Sequence, residues 1–379
     1  MRIENDRLRV KTGETVCRNE KEAVRELFLK VNQPDMDAVI FFSSSLYDPG
    51  KLGTELKKTF PCPLIGCTTA GEISAKGYQE GGIVGASLSS PELKLHSRLI
   101  SPLNRFGLLE ASAFADELRR ELSFSNGFEK EKMFGLLMID GLSILEEQII
   151  SSLYNQLDGI SIIGGSAGDD LKFGETKVYW DGQFVSDAAV FTLLETTLPF
   201  YVFNTQHFMP MEQKLVITGA DPSRRIVTEI NAEPAAREFA RVLGLSITDL
   251  NPLVFSQYPL MLKIGDHWYV RSIQKVNEDE SLSFFCAIDV GLVLTVAQGD
   301  DLVAGLKDEL DRISRIIPDT RLIIGCDCIL RKLEIIEKGL MQDVRELLNR
   351  TNFIGFSTYG EQYDFVHVNQ TLTGVAIGG

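Results

Sequence analysis

The sequence contains no apolar run that approaches the ~18 residues of a membrane-spanning helix. Its first residues, from Met1 to Arg7, lack the apolar core of a signal peptide. Cations are also scarce, since 38 Lys and Arg residues against 53 Asp and Glu residues give a net charge of −15. That sign disfavours general binding to nucleic acid or to an anionic membrane surface. These absences predict a cytoplasmic protein that binds neither nucleic acid nor a membrane.

Residues that commonly bind metals or act as nucleophiles are few. The chain has 4 histidines and 6 cysteines, and no pair of cysteine spacings fits a zinc site. Cys326 and Cys328 are the closest pair, and two reduced thiols at a strand end are favoured over a metal or redox site, although their role is left open. The sequence has no nucleophile elbow, Walker loop or HExxH motif. We therefore predict a protein that is not an enzyme, with a hydrolase or transferase working through Ser166 or Ser357 as the less favoured alternative.

An internal repeat is the main feature that the sequence does have. The segment Ile65-Gly-Cys-Thr-Thr-Ala-Gly-Glu-Ile recurs as Ile354-Gly-Phe-Ser-Thr-Tyr-Gly-Glu-Gln, and a looser copy reads Ile163-Gly-Gly-Ser-Ala-Gly-Asp-Asp. Each copy follows an apolar run, a loop, a helical pattern and a second short apolar run, and a further strand comes after it. An internal repeat constrains architecture more than local propensity does. The pattern predicts strand–helix–strand crossovers in mainly buried sheets.

The predicted fold class is α/β, with two related lobes, mainly buried sheets flanked by helices, and internal βαβ-like repeats. The repeat pattern breaks near Thr196-Thr-Leu-Pro, which predicts domains at 1–196 and 197–379. In the second domain, one helix is predicted to begin after an N-cap at Asn231 and to end at Gly244. Another is predicted from Leu333 to Leu348.

The glycine turns are the first candidate ligand site. Glycine at a strand end accepts positive φ and allows a close backbone approach. The hydroxyls of Thr68, Thr69, Ser357 and Thr358 can bond the local backbone or an outside ligand, and both interpretations stay open. Ligands usually bind at strand ends of α/β sheets, so we expect the three bends to lie together around a cavity.

Two further candidates lie in the second half. His207 follows an aromatic strand and precedes Phe208 and Met209, and a lone imidazole in an apolar, sulfur-rich surround suits an axial haem ligand. A hydrogen-bonded loop histidine is the alternative. Arg224 and Arg225 could hold a carboxylate in bidentate fashion, with an exposed arginine pair as the alternative.

Several motifs together resemble the FIST family, which has an N-terminal and a C-terminal FIST domain. They cover nearly the full chain: Gly66-Cys-Thr-Thr-Ala-Gly-Glu-Ile, Gly164-Gly-Ser-Ala-Gly-Asp-Asp, Glu229-Ile-Asn-Ala-Glu-Pro-Ala, Asn251-Pro-Leu and Gly355-Phe-Ser-Thr-Tyr-Gly-Glu. The resemblance implies a bacterial or archaeal sensory module that binds small ligands such as amino acids. It also implies a link to signalling kinases or cyclic-dinucleotide enzymes.

Gln206-His-Phe, Thr218-Gly-Ala-Asp-Pro and the ending Val368-Asn-Gln-Thr-Leu-Thr-Gly resemble the NosP-like branch of haem-containing, nitric-oxide-sensing FIST proteins. That resemblance implies haem as the cofactor, His207 as the iron ligand, nitric oxide as the signal and a partner histidine kinase of a two-component system. Gln206 stands where some members have the first of two histidines. The alternative is a haem-free FIST receptor for an amino acid or similar anion, bound by Arg224 or Arg225 and the turn hydroxyls. Self-association into a homo-oligomer is left open.

Overall fold

The structure is a computed structural model, and it describes residues 7–379. Residues 1–6, which open the predicted first domain and carry most of the signal-peptide prediction, lie outside the described residues. Within the described range, no helix is both long and apolar enough to cross a lipid bilayer.

Most of the chain consists of three copies of one structural unit, here called repeats 1, 2 and 3. In each repeat an edge strand and a helix precede two parallel strands joined by a helical crossover, and a short hairpin and a final strand follow. Repeat 1 contains β1 (Arg9–Thr15), α1 (Glu20–Val31), β2 (Ala38–Ser44), α2 (Pro49–Thr59), β3 (Leu64–Thr69), β4 (Glu72–Ser74), β5 (Gly77–Gln79) and β6 (Ile83–Ser89). Repeat 2 contains β7 (Leu93–Ile100), α3 (Leu108–Glu121), β8 (Met133–Ile139), α4 (Glu146–Gln156), β9 (Ser161–Ser166), β10 (Val178–Trp180), β11 (Gln183–Val185) and β12 (Ala189–Thr196).

Repeat 3 begins with β13 (Phe200–Thr205), and a lobe spanning residues 208–299 is inserted after that strand. The lobe contains β14 (Phe208–Asp221), β15 (Ile226–Ile230), β16 (Glu233–Pro234), α5 (Ala235–Leu243), α6 (Pro252–Gln257), β17 (Leu260–Ile264), β18 (His267–Arg271), β19 (Ile273–Val276), β20 (Leu282–Phe284) and β21 (Val293–Gly299). Repeat 3 resumes with α7 (Leu302–Ile316), β22 (Thr320–Cys328), α8 (Ile329–Glu337), α9 (Met341–Leu348), β23 (Phe353–Thr358), β24 (Glu361–Tyr363), β25 (Val366–Val368) and β26 (Leu372–Gly378).

The three repeats exchange their hairpins in a cycle. Sheet 1 has the order β1-β6-β2-β3-β10-β11, so the hairpin of repeat 2 completes the sheet of repeat 1. Sheet 2 has the order β7-β12-β8-β9-β24-β25, and sheet 3 has the order β13-β26-β22-β23-β4-β5. Because each sheet depends on a hairpin from another repeat, the three repeats form a closed, three-fold-like body.

The inner faces of the three sheets enclose one central apolar core, while helices cover their outer faces. On β2, Phe42 enters the central core and stacks on Phe356 of β23 with ring centroids 4.5 Å apart. The adjacent Phe41 enters the outer core beneath α1 and α2. Strands buried on both faces explain the continuous apolar runs of the sequence.

The first glycine of each motif lies where two parallel strands pass very close together. A Cβ added to Gly66, Gly164 or Gly355 would lie 2.4, 1.9 or 2.3 Å from a carbonyl oxygen of the neighbouring strand. No larger residue fits there without moving the backbone. The repeated glycine is therefore required by close approach, whereas positive φ occurs at the second glycine of the first copy, Gly71.

The inserted lobe has its own antiparallel sheet and its own core. Its strand order is β18-β17-β21-β14-β15-β20-β19, with β16 paired to β15. Phe208 and Gly299 are paired neighbours, and the Asp300 amide donates to the His207 carbonyl at 2.7 Å. The lobe thus joins the body through a neck of two adjacent chain segments.

Two helix boundaries differ from the sequence-based predictions. Asn231 is not an N-cap: it has φ +53° in the turn between β15 and β16, and α5 begins only at Ala235. The predicted end at Gly244 is confirmed by its left-handed conformation. The predicted helix from Leu333 to Leu348 is two helices, α8 and α9, separated at Gly339 with φ +68°.

The α/β fold class, the buried sheets and the βαβ-like repeats are confirmed. The division of the sequence at residues 196 and 197 stays a prediction. The hairpin exchange places β4 and β5 in one sheet with β22, β23 and β26, so sequence units and sheets do not coincide.

Candidate functional site

The three bends that follow β3, β9 and β23 meet at one end of the body. We call them bend 1 (residues 68–72), bend 2 (residues 166–170) and bend 3 (residues 357–361). The Ala70 amide donates to the Ser357 carbonyl at 3.0 Å, and the Gly168 amide donates to the Thr68 carbonyl at 3.0 Å. The Ser166 amide donates to the Gly360 carbonyl at 2.8 Å. Each bend is therefore hydrogen-bonded to the other two.

Most of the predicted hydroxyls form hydrogen bonds within or beside their own bends. In bend 1, Thr69 Oγ1 donates to Glu72 Oε1 at 2.6 Å, and the other carboxylate oxygen accepts from the Gly82 amide at 2.9 Å. In bend 3, Thr358 donates to Glu361, which also accepts from the Thr371 hydroxyl at 2.8 Å. Burial raises the pKa of Glu72 to about 7 and the pKa of Glu361 to about 8.

The remaining two predicted hydroxyls differ from each other. Thr68 Oγ1 accepts from the Lys177 amide at 3.0 Å, so this group also serves the local backbone. Ser357 Oγ is buried and has no hydrogen-bond partner within residues 7–379. Of these four hydroxyls, only that of Ser357 has no hydrogen-bond partner among the described residues.

A cavity of about 270 Å³ lies beside bends 1 and 2, and we call it the pole cavity. All three repeats line it. The lining residues are Arg18, Leu46, Ala70, Glu80 and Gly81 of repeat 1, Asp170, Leu171 and Lys172 of repeat 2, and Ile329, Lys332, Leu333 and Ile336 of repeat 3.

Lys332 on α8 is the central cation of the pole cavity. Its side chain is buried, and Nζ donates to the Ala70 carbonyl at 3.0 Å and to Glu80 Oε1 at 2.8 Å. The ammonium lies directly over Gly71, where an added Cβ would be 2.5 Å from Nζ. The hydrogen bond from Lys332 lowers the pKa of Glu80.

The rim of the pole cavity carries two cations, Arg18 and Lys172. Within the described part of the chain, no carboxylate forms an ion pair with Arg18 or Lys172. The Arg18 guanidinium lies against Gly81, and Asp170 accepts from Ser45 Oγ at 3.0 Å. The lining therefore has one more cation than carboxylates in a protein of net charge −15. This arrangement can bind a carboxylate at Arg18 and an ammonium at Asp170.

His207 lies away from the bends, in a buried polar network at the neck. Its Nε2 is 3.0 Å from Glu334 Oε1, and its Nδ1 is 3.3 Å from Arg331 Nη1. Arg331 Nε also donates to Asp327 Oδ1 at 2.7 Å, and Asp327 accepts from the Tyr78 hydroxyl. Burial lowers the pKa of His207.

The surroundings of His207 do not fit an iron ligand in this arrangement. A neutral ring that donates from Nε2 to a carboxylate accepts at Nδ1 from the arginine. Neither nitrogen then offers a free lone pair, which haem iron requires.

The two arginines are not part of the pole cavity. Arg225 is buried, and its Nη2 lies 2.6 Å from Glu146 Oε2 and 2.5 Å from Glu147 Oε2. Its Nη1 donates to the Phe285 carbonyl at 2.7 Å. Arg224 is exposed in a short 3₁₀ turn. Arg225 thus holds the lobe against α4, and its guanidinium already has carboxylate partners.

The geometry adds no support for catalysis at Ser166 or for a metal or redox site at Cys326 and Cys328. Ser166 Oγ accepts from Gln362 Nε2 at 3.0 Å, and an amide cannot act as a base. Cys326 and Cys328 are buried free thiols, and burial raises the pKa of both. Within residues 7–379, no group of three or more His, Cys, Asp or Glu side chains is placed to hold a metal ion.

Sequence reasoning missed the charged residues of the pole cavity. Lys332 carried a usable signal, because its neighbours on the same face of α8, Ile329 three residues before it and Ile336 four residues after it, are apolar. Glu80 occupies the same repeat position as Asn369, so an aligned repeat would have shown a polar residue there in both copies. Arg18 carried no signal, since only the fold brings it beside repeat 2.

Comparison with known families gives two matches that adjoin in sequence. The model of the FIST N domain matches residues 37–233, and the model of the FIST C domain matches residues 235–364. Uncharacterized protein MJ1623 of Methanocaldococcus jannaschii is 24% identical over 389 aligned positions, which cover 89% of this chain and 73% of that protein.

Proposed function

We propose that this chain, which belongs to the family built from FIST N and FIST C domains, senses a small carboxylate-bearing molecule such as an amino acid in the pole cavity. FIST domains are sensory domains, and the proposal names the class of signal and the site. The observation that carries it is Arg18, which has no carboxylate partner among residues 7–379 and lines a cavity formed by all three repeats. The volume of about 270 Å³ is just below the roughly 300–1,000 Å³ of pockets for drug-sized ligands.

Each part of an amino acid has a matching group in the cavity. Arg18 presents a fork of donors that suits a carboxylate. Asp170 supplies a negative group for the ammonium. Leu171, Leu333 and Ile336 offer apolar contacts for a side chain.

Helix α8 supports a route from this cavity to the inserted lobe. Lys332 and Leu333 face the cavity, whereas Arg331 and Glu334 bond His207 at the neck. A ligand shifts an equilibrium only through contacts that differ between two states. A ligand that contacts Lys332 would therefore change the contacts of α8, the helix that bonds His207 at the neck.

The test is a screen of amino acids and small dicarboxylates by calorimetry and thermal shift, with Arg18→Gln as the key variant. We expect a ligand whose affinity falls on the order of tenfold to a hundredfold in Arg18→Gln, because a charge-assisted hydrogen bond is worth about 1.5–3 kcal/mol. Bound ligand should also slow hydrogen exchange at residues 206–208. Arg25→Gln is the matched control, since Arg25 lies exposed on α1 and forms an exposed ion pair with Glu22 at 3.1 Å. Equal affinities in the two variants, or no ligand in the screen, would reject the proposal.

Haem, nitric oxide and a histidine kinase stay predictions that rest on the family resemblance. Iron ligation by His207 would need the ring to leave Glu334 or Arg331. Absorption spectra of the reduced protein, before and after nitric oxide, test this hypothesis. A stoichiometric Soret band that disappears in His207→Ala would support haem, and no band after haem supplementation would reject it. Autophosphorylation of a candidate kinase with and without this protein tests the output, and light scattering tests the homo-oligomer.

A further inference from the structure

Two clefts lie in equivalent places on the three-fold-like body, each beside the edge strand of a sheet. They differ greatly in size. In each, an edge strand lies near the hairpin tip of a neighbouring sheet. The cleft between β1 and the β4–β5 hairpin has a volume of about 160 Å³. The cleft between β7 and the β10–β11 hairpin, which we call the side cleft, has a volume of about 620 Å³.

A closing ion pair explains the difference. In the smaller cleft, Lys76 at the hairpin tip pairs with Glu14 on the edge strand. The strand registers place Leu99 at the position of Glu14 and Gly182 at the position of Lys76. The side cleft therefore lacks both members of the pair that bridges its counterpart.

The interior of the side cleft is mainly apolar and aromatic. Tyr179 is buried and Trp180 is half-buried, and the loop after α2 supplies further lining residues. The apolar lining residues are Phe60, Pro61, Pro63, Leu64, Leu95, Tyr179 and Trp180. A volume of about 620 Å³ falls within the roughly 300–1,000 Å³ of established ligand pockets.

The charges at the rim of the side cleft are already neutralised. Lys57 Nζ lies 2.9 Å from Asp181 Oδ1, and Arg98 pairs with Glu121. Burial raises the pKa of Cys62 to about 11, so this thiol is uncharged at neutral pH. An ionised ligand would lose hydration here without gaining a free counter-charge, which disfavours it.

We propose that the side cleft binds an uncharged planar aromatic molecule that stacks on Trp180. Aromatic rings pack favourably in offset or edge-to-face arrangements, and the half-buried Trp180 provides such a surface. This site is separate from the pole cavity, and it stands whether or not an amino acid binds there.

Trp180 is itself the reporter for the test. The chain has 2 tryptophans, so Trp268→Phe leaves Trp180 as the only one. The probes are N-phenylnaphthylamine, which is uncharged, and anilinonaphthalene sulfonate, which carries the same rings with a negative charge. We expect saturable quenching of Trp180 by the neutral dye and affinity for the sulfonate on the order of tenfold lower, since an unpaired charge resists burial. Equal affinities or no quenching would overturn the proposal.

Position 62 supplies the matched variants. In the Trp268→Phe background, Cys62→Phe fills the cleft and should abolish quenching, whereas Cys62→Ser leaves the space open and should retain it. Alkylation of the wild-type protein with an uncharged maleimide at mildly alkaline pH is independent of these variants. The neutral dye should protect Cys62 but not Cys17, a half-buried cysteine elsewhere. Quenching that survives Cys62→Phe, or a dye that protects neither cysteine, contradicts the proposal.

Discussion

Bends 1 and 3 have nearly the same sequence and backbone role, yet one borders an open cavity and the other supports the inserted lobe. Beside bend 3, Arg271 Nη1 donates to the His367 carbonyl at 3.2 Å, and Ser272 Oγ donates to Gln370 Oε1 at 2.8 Å. Gln370 Nε2 in turn donates to the Ser256 carbonyl on α6 at 2.7 Å. The region beside bend 3 is thus filled by contacts between lobe and body.

The difference arises from a few side chains around a shared turn. Ala70 in bend 1 corresponds to Tyr359 in bend 3, whose ring stacks on Phe173 with centroids 4.9 Å apart. Gly81 corresponds to Gln370, which bonds the lobe. The bend therefore supplies a rigid frame, and the residues beside it decide whether the frame borders a cavity or a packed interface.

Some buried polar groups in the interface beside bend 3 lack hydrogen-bond partners among the described residues. Within the described residues, Nε of Arg271, Nε2 of His367 and the side-chain amide of Asn369 are buried without hydrogen-bond partners. Such buried unpaired groups each cost about 1–3 kcal/mol. The interface beside bend 3 consequently depends on its strongest contact, the ion pair of Arg225 with Glu146 and Glu147.

Arg225→Met should have the largest effect on this comparison. It leaves Glu146 buried without its cation, and breaking a buried pair in this way costs about 3–5 kcal/mol. Urea unfolding of the purified variant measures the loss. Arg224→Met is the matched control, because the adjacent arginine is exposed and surface changes usually stay within about 0.5 kcal/mol. Similar unfolding midpoints for both variants would show that the ion pair does not hold the lobe.

The sequence predicts the parts of the fold that depend on residues within one repeat, but not those that depend on which repeats pair with each other. Ala38 to Ser43 and the glycine motif predicted the crossovers, because burial on both faces and close strand approach act within one repeat. The exchange of hairpins could not be predicted, since local periodicity does not specify which sheet a short strand joins.

The candidate site was predictable only in part, for the same reason. The bends carried a local motif, and their meeting was expected from repetition. The partners of His207 could not be seen, because Glu334 lies 127 residues away on α8. An apolar sequence neighbourhood therefore suggested haem where the fold places charged groups.

The glutamates of the two bends should respond differently to pH. A carboxyl group whose pKa is raised by folding contributes its stability below the unfolded pKa near 4.5, and this contribution is lost as pH rises through the folded pKa. The loss should therefore extend to higher pH for Glu361, whose folded pKa is about 8, than for Glu72, whose folded pKa is about 7. At about 1.4 kcal/mol per pKa unit, each group accounts for a few kcal/mol.

Urea unfolding across this pH range separates the two glutamates. Glu361→Gln and Glu72→Gln keep an acceptor for the threonine of each bend but cannot ionise. Each variant should lose stability less steeply with rising pH than the wild-type protein, and between about pH 7 and 8 the change in slope should be larger for Glu361→Gln than for Glu72→Gln. Stability curves that run parallel to that of the wild type would mean that neither carboxyl is held protonated by the fold.

Ala70→Tyr converts bend 1 toward bend 3 and tests the comparison most directly, with the smallest expected effect on stability. The new ring has a precedent at Tyr359, and it would project into the pole cavity of about 270 Å³. Ligand affinity should fall by at least about tenfold, or about 1.4 kcal/mol, while the unfolding midpoint changes little. Ala70→Ser, which leaves the space open, should retain the ligand. If Ala70→Tyr binds as tightly as the wild type, the ligand does not lie beside bend 1, and the difference between the two bends has another purpose.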